Sequence, residues 1–289
     1  MTDHNPAQSR ISGPNDRGAK AQGNSRVAIV TGAGRGLGRA MALGLAHAGI
    51  QVVATAAREV AEIEAVASET KEGMVFPVLA DVTRETDTER VVAAALQQFG
   101  RLDILVNNAG RGMKYVSETF MTEPTHFWDV EPDTWRMIVD TNVTGPFLMA
   151  RAVVPHMVRV GWGRVINVSI NRSTMHRTGF SPYGPSKAAL ESETIIWAED
   201  LRGTGVTVNA LLPGGAALTG MIPDAFPQNA RSALLDPAIM VQPLLWLVSN
   251  ETDAISGFRV IANKWNRGNP EAAIESAGWG SDRAGRPVT

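Results

Sequence analysis

The chain of 289 residues is 44% apolar and 19% charged, with 27 Lys and Arg against 29 Asp and Glu and a formal net charge of -2. That balance excludes a protein whose main work is gripping nucleic acid or an anionic membrane surface, because neutralising phosphates needs a cationic excess. The absence of cysteine excludes a disulfide scaffold, cysteine-bound metal and thiol nucleophiles, and the five histidines (His4, His47, His126, His156, His176) show no ligand spacing, so no metal site is expected.

Residues 1–25 are polar and rich in Gly, Pro, Asn and Ser, without the apolar run of a secretory signal; they read as a disordered arm. No later stretch could span a membrane, and a soluble, cytoplasmic protein is expected. The pattern changes at Arg26. Val27-Ala28-Ile29-Val30 is a short continuous apolar run ending at a Gly-rich turn, as a strand buried on both faces would. Similar runs recur at 51–54, 75–79, 104–106, 164–168, 206–212 and 258–261. Between them, helical periodicity marks 37–47, 59–70, 84–99, 135–160 and 186–202. Strands alternating with helices predict an α/β fold: one Rossmann-like, doubly wound domain over 26–263, with about seven parallel strands and helices on both faces. Residues 264–289 read as a tail, with Trp279 among glycines, expected at a subunit interface.

Two segments depart from the alternation. Residues 111–134 carry Met113, Tyr115, Phe120, Met121, Phe127 and Trp128, and residues 213–243 carry five prolines (Pro213, Pro223, Pro227, Pro237, Pro243). Both follow the C-terminal ends of strands, where open α/β sheets bind ligands, so they are expected as pocket walls or lids.

Thr31-Gly32-Ala33-Gly34-Arg35-Gly36-Leu37-Gly38 lies between the first strand and the first helix. Glycines there allow a sharp turn and a close backbone approach to a pyrophosphate, at which the following helix directs its free N–H groups. The spacing is TGxxxGxG. Further along stand Asp81-Val82 after the third strand, Asn107-Asn108-Ala109-Gly110 closing the fourth, Tyr183-Gly184-Pro185-Ser186-Lys187 after the fifth, and Pro213-Gly214 after the sixth. In this order and spacing the chain resembles the short-chain dehydrogenase/reductase family in its single-domain, classical form, over roughly 26–263.

The resemblance implies a nicotinamide dinucleotide held by Gly32, Gly36, Leu37, Gly38, Asp81, Val82, Asn108, Ala109, Gly110, Tyr183, Lys187, Pro213 and Gly214. The second strand ends in Thr55-Ala56-Ala57-Arg58, with no carboxylate for the ribose 2′-OH of NAD. Arg35 and Arg58 could instead pair with a 2′-phosphate, so NADP is favoured, with NAD possible.

Tyr183 and Lys187 are four residues apart on one helical face. A lysine cation and an oxidised nicotinamide beside the phenol are expected to lower its pKa and make Tyr183 the acid or base of a secondary alcohol/ketone interconversion. The resemblance adds Lys187 to the nicotinamide ribose hydroxyls and makes Asn142 the support of a water relay behind the lysine. It also calls for a serine thirteen residues before the tyrosine. Ungapped counting puts Ile170 there, so either Ser169 serves through one extra loop residue, or Ser173 reaches in, or no hydroxyl does; Ser169 is the first choice. Glu191 and Glu193 read as solvated helix-face residues, and His176 as a plain loop residue.

The expected partner is a small, largely apolar carbonyl or alcohol substrate. The resemblance further implies a homo-oligomer, built through the tyrosine helix and the C-terminal strand. Two other readings stay open: reduction of a C=C or C=N bond on the same scaffold, and a dinucleotide-binding sensor whose catalysis has decayed.

Overall fold

The strand Val27–Val30 (β1) is buried along its whole length, because it has neighbours on both edges and helices over both faces. It pairs in parallel with Gln51–Ala56 (β2) on one side and Ile104–Asn107 (β4) on the other. The computed structural model describes residues 25–277 apart from residue 225; all but the last residue of the expected arm over 1–25, and the end of the tail with Trp279, lie outside the described residues.

The remaining strands are Val75–Leu79 (β3), Gly163–Val168 (β5), Val206–Leu212 (β6), Phe258–Ile261 (β7) and Ile274–Ser276 (β8). All eight form one sheet in the order β3-β2-β1-β4-β5-β6-β7-β8. The seven expected strands run parallel, and β8 adds an antiparallel edge beside β7. Its three half-buried residues gave no apolar run to read. Pro77 sits in the opposite edge strand, where a missing ladder N–H is tolerated.

Side chains alternate between two cores. Ala28 and Val30 face the layer of Gly36–His47 (α1), Val60–Ser68 (α2) and Val241–Leu247 (α8), which supply Met41, Leu45, Ile63 and Leu244. Ile29 faces Glu85–Phe99 (α3), Gly145–Val160 (α5) and Tyr183–Asp200 (α7), through Val91, Met149, Val153 and Ala198. Burying each such aliphatic side chain stabilises the fold by about 1.5–3 kcal/mol, which favours apolar residues on both faces of the inner strands.

The helix expected over 135–160 is interrupted. Pro132–Val139 (α4) and α5 are separated by a π-helical turn at Asp140–Thr144. Next to it the backbone of Gly145 comes so close to Val82 that a Cβ would lie 2.7 Å from Val82 Cγ2. A single turn, Arg172–Met175 (α6), precedes α7. The sheet order reverses between β1 and β4, which opens a crevice at the C-terminal ends of these strands. Among the described residues no helix is long and apolar enough to cross a membrane.

Candidate active site

The glycine loop leaves β1 and enters α1, whose first turn carries no acidic residue and no side-chain cap. Its free N–H groups therefore face the crevice, as an anion site requires. Gly38 is needed for packing: a Cβ would stand 2.1 Å from the Gly32 carbonyl oxygen and 2.4 Å from Asn108 Nδ2. Asn108 fixes the loop by donating from Nδ2 to the carbonyls of Thr31 (2.8 Å) and Gly32 (3.0 Å). Thr31 Oγ1 in turn accepts from the backbone N–H of Asn108 and of Ala109, both at 3.0 Å. The two motifs thus form one rigid unit, and they leave a cradle that fits a pyrophosphate.

The π turn presents Asn142 to the same unit. Its Oδ1 accepts from Arg111 N (2.8 Å), while Nδ2 donates to the Arg111 carbonyl and to Ser186 Oγ, each at 2.9 Å. All of its side-chain capacity used here ties the loop after β4 to α7. Gly110 is thereby held where an added Cβ would be 3.7 Å from Lys187 Nζ.

Lys187 is buried and donates to the Val168 carbonyl at 2.8 Å. Burial lowers its pKa to about 8, against the opposing pull of the Glu191 carboxylate. Tyr183, half-buried, packs on the cluster of Met113, Phe120 and Phe180. This apolar surround pushes its phenol up to about 12. The direction is opposite to the expected lowering, because in the chain alone desolvation is its cause. No described residue hydrogen-bonds to the phenol, which lines the cleft.

Ser169 is buried, and its hydroxyl donates to Glu191 Oε1 at 2.7 Å, so that proton is committed to a carboxylate. Ser173 is exposed and outside the cleft lining, as is His176. Ile170, Asn171 and Thr174 form this wall; the amide of Asn171 and the hydroxyl of Thr174 are polar groups that no motif marked. Glu191 corrects the sequence reading, for it is 3% exposed rather than solvated. Burial raises its pKa, while Arg259 and the Ser169 hydrogen bond oppose the rise.

These residues line one cleft of about 480 Å³ running from the glycine loop to the loops at 111–134 and 213–222. Gly32, Arg35, Gly36, Leu37, Gly38, Arg58, Asp81, Val82, Asn108, Ala109, Gly110, Ser169, Tyr183, Lys187 and Pro213 all reach it. Gly214 does not: it turns with φ +89 beneath Asn263, and Gly215 lines the wall instead. Asn142 stands behind the wall. Of the apolar residues in the first long loop, Met113, Tyr115, Phe120 and Met121 line the cleft, whereas Phe127 and Trp128 are exposed away from it. Glu62, also in the lining, lies 3.7 Å from the exposed guanidinium of Arg35.

A family model described as short chain dehydrogenase matches residues 26–230. A 3-oxoacyl-(acyl-carrier-protein) reductase of Synechocystis sp. is 35% identical over 192 residues, which are 66% of this chain and 74% of that protein. Among solved structures, 3-ketoacyl-(acyl-carrier-protein) reductase from Brucella melitensis, complexed with NADH, aligns with a TM-score of 0.72 and 32% identity, over 81% of this chain and 95% of that one. A variant of actinorhodin polyketide ketoreductase with NADPH aligns with a TM-score of 0.70 and 26% identity, over 80% of this chain and 93% of that one.

Proposed function

Because the chain belongs to the short chain dehydrogenase family, we propose that it interconverts a secondary alcohol and a ketone with a nicotinamide dinucleotide, with Tyr183 as the acid or base and reduction as the favoured direction. The observation that carries this reading is the unpartnered phenol of Tyr183 on the cleft wall, with the Lys187 ammonium on the same helix and the phosphate cradle in the same cleft.

When bound, the dinucleotide supplies or accepts the hydride. The chain's residues do the rest. Gly32, Gly36, Leu37 and Gly38 would hold the pyrophosphate; Asn108, Ala109, Gly110, Pro213 and Lys187 would hold the nicotinamide half, and Asp81 and Val82 the adenine. A phenol pushed up to about 12 keeps its proton across the ordinary pH range. It can therefore give that proton to a carbonyl oxygen as the alcohol forms. A positive Lys187 stabilises the phenolate left behind, and this help fades as pH rises through about 8. Reduction is thus expected to be steady below that pH and to decline above it. Met113, Phe120, Met121, Phe180, Met221 and Ile222 suit a substrate with a largely apolar body.

NADP is the favoured dinucleotide, since Arg35 and Arg58 both reach the cleft beyond β2. Glu62 supports NAD as the second reading, because its carboxylate could accept from a ribose hydroxyl. Initial rates on a panel of ketones with NADPH and NADH test both points. NADPH should give the higher kcat/KM, and replacing Arg35 and Arg58 with alanine should reduce that preference about tenfold or more. Tight dinucleotide binding without turnover of any ketone, imine or enone would point to the sensor. The proposed assembly is a cytoplasmic homo-oligomer, which the exposed Phe147 on α5 and Ile196 on α7 support. Sedimentation at micromolar concentration is expected to show a dimer or tetramer; a monomer would count against it.

A further inference from the structure

The last residues of β5 lead into the wall beside Tyr183, and three successive positions there are each held by a charged side chain. Lys187 Nζ donates to the Val168 carbonyl at 2.8 Å, Ser169 Oγ donates to Glu191 Oε1 at 2.7 Å, and Arg259 Nη2 donates to the Ile170 carbonyl at 2.9 Å. The holders are themselves joined, since Arg259 Nη1 lies 3.3 Å from Glu191 Oε2 and both side chains are buried, at 1% and 3% exposure. Lys187 and Glu191 are four residues apart on α7, one turn from each other on the buried face. A buried ion pair is weak evidence of stabilisation, because desolvation consumes much of the Coulombic gain. This one lies next to the reacting groups.

We propose that Glu191, acting with Arg259, is a positioning residue of the active site: it fixes the end of β5 against α7 and places a carboxylate, paired with Arg259, one turn from Lys187. The proposal rests on the reading that Tyr183 and Lys187 perform the chemistry. Other charged groups face this pair. Arg172 from α6 acts on Glu191 and Arg259, and Glu275 from β8 lies 3.8 Å from Arg259 Nε and 3.0 Å from Lys264 Nζ. Glu275 and Lys264 are outer members that water reaches, with side chains 35% and 55% exposed, so Glu191 is the buried carboxylate set against Lys187.

The chain has five lysines, which makes Lys187 accessible to direct titration by NMR with ¹³Cε-labelled lysine, assigned through Lys187→Met. Glu191→Gln keeps the shape and an acceptor for Ser169 but removes the charge. The Lys187 midpoint should fall by about 0.5–1 pH unit in Glu191→Gln, with the alkaline decline of kcat/KM for ketone reduction moving by the same amount. Glu191→Asp keeps the charge and withdraws the carboxylate by one methylene. It should leave the midpoint near the wild-type value and lower kcat about tenfold with little change in KM. Ser169→Ala should cost less than about tenfold in kcat, against about 10²–10³ for loss of a direct oxyanion donor.

A folded Glu191→Gln with an unmoved Lys187 midpoint overturns the charge assignment. Should that variant not fold, Glu191→Asp with wild-type kcat overturns the positioning. A loss near 10³ in Ser169→Ala, with the Lys187 titration unchanged, would make Ser169 itself the donor and overturn the assignment as well. Failure of the underlying reading shows separately, as absence of ketone turnover in the wild-type chain whatever Lys187 does.

Discussion

Replacing Tyr183 with phenylalanine should lower ketone reduction by about 10²–10⁴-fold, the usual share of general acid catalysis, while dinucleotide binding and melting temperature stay near those of the wild type. The substitution removes one oxygen. The ring keeps its contacts with Met113, Phe120 and Phe180, and no described residue loses a hydrogen-bond partner in the phenol. Stability and affinity therefore have no reason to change, whereas the carbonyl oxygen loses its proton source. Single-turnover rates at pH 7, together with a fluorescence titration of the dinucleotide, separate the two effects. Full activity in the variant would sink the mechanism. Loss of binding in parallel with activity would mean that the hydroxyl holds the cofactor.

The second large effect is expected at Gly38. An alanine methyl there would meet the Gly32 carbonyl oxygen at 2.1 Å and Asn108 Nδ2 at 2.4 Å, both parts of the loop that shapes the cradle. Backbone cannot yield as a flexible side chain can, so the loop must shift away from α1. Overpacking of this kind typically costs about 1–3 kcal/mol of stability. The greater loss should be in function, because a pyrophosphate site built from backbone N–H groups depends on their positions: affinity for the dinucleotide should fall about 100-fold or more, a difference of about 3 kcal/mol. Gly49→Ala is the control. Its φ of +86 makes a methyl strained, yet nothing lies within 4 Å of the added atom. A left-handed alanine costs about 1–2 kcal/mol, so this variant should lose comparable stability and keep its affinity. Equal affinity losses in the two variants would show that destabilisation alone explains the effect.

The strands and the glycine loop were legible in the sequence for a physical reason. A parallel strand covered on both faces reads as a near-continuous apolar run, as Val27–Val30 does, and Val206–Leu212 keeps that run apart from the buried Thr207 and Asn209. The face of α7 was not legible. There Ser186, Lys187, Glu191 and Thr194 are buried beside Leu190 and Ala198 while Ile196 is 53% exposed, so the inside of this helix mixes polar and apolar residues. A rule that sends charged residues to water misplaces Glu191, because its partner, Arg259, is 68 residues away on β7. Ser169 and Ile170 show the same limit. Counting along the chain identified the altered position, but only the bond to Glu191 shows where the Ser169 proton goes. β8 escaped notice because it is short and pairs through backbone groups that carry no side-chain signature.

The π turn at Asp140–Thr144 has a consequence for the phase of the helices on either side. One additional residue in a turn rotates everything beyond it by about 100° relative to an uninterrupted α-helix. Met149, Val153 and Met157 on α5 point into the core beyond this turn, while Ile138 on α4 is buried before it. The two helices therefore keep separate angular registers, and the turn that aims Asn142 also sets the register of α5. Any deletion or insertion of a single residue between Ile138 and Met149 would act as a gear shift: local helicity would survive, but the ring of side chains beneath half the sheet would face the wrong way.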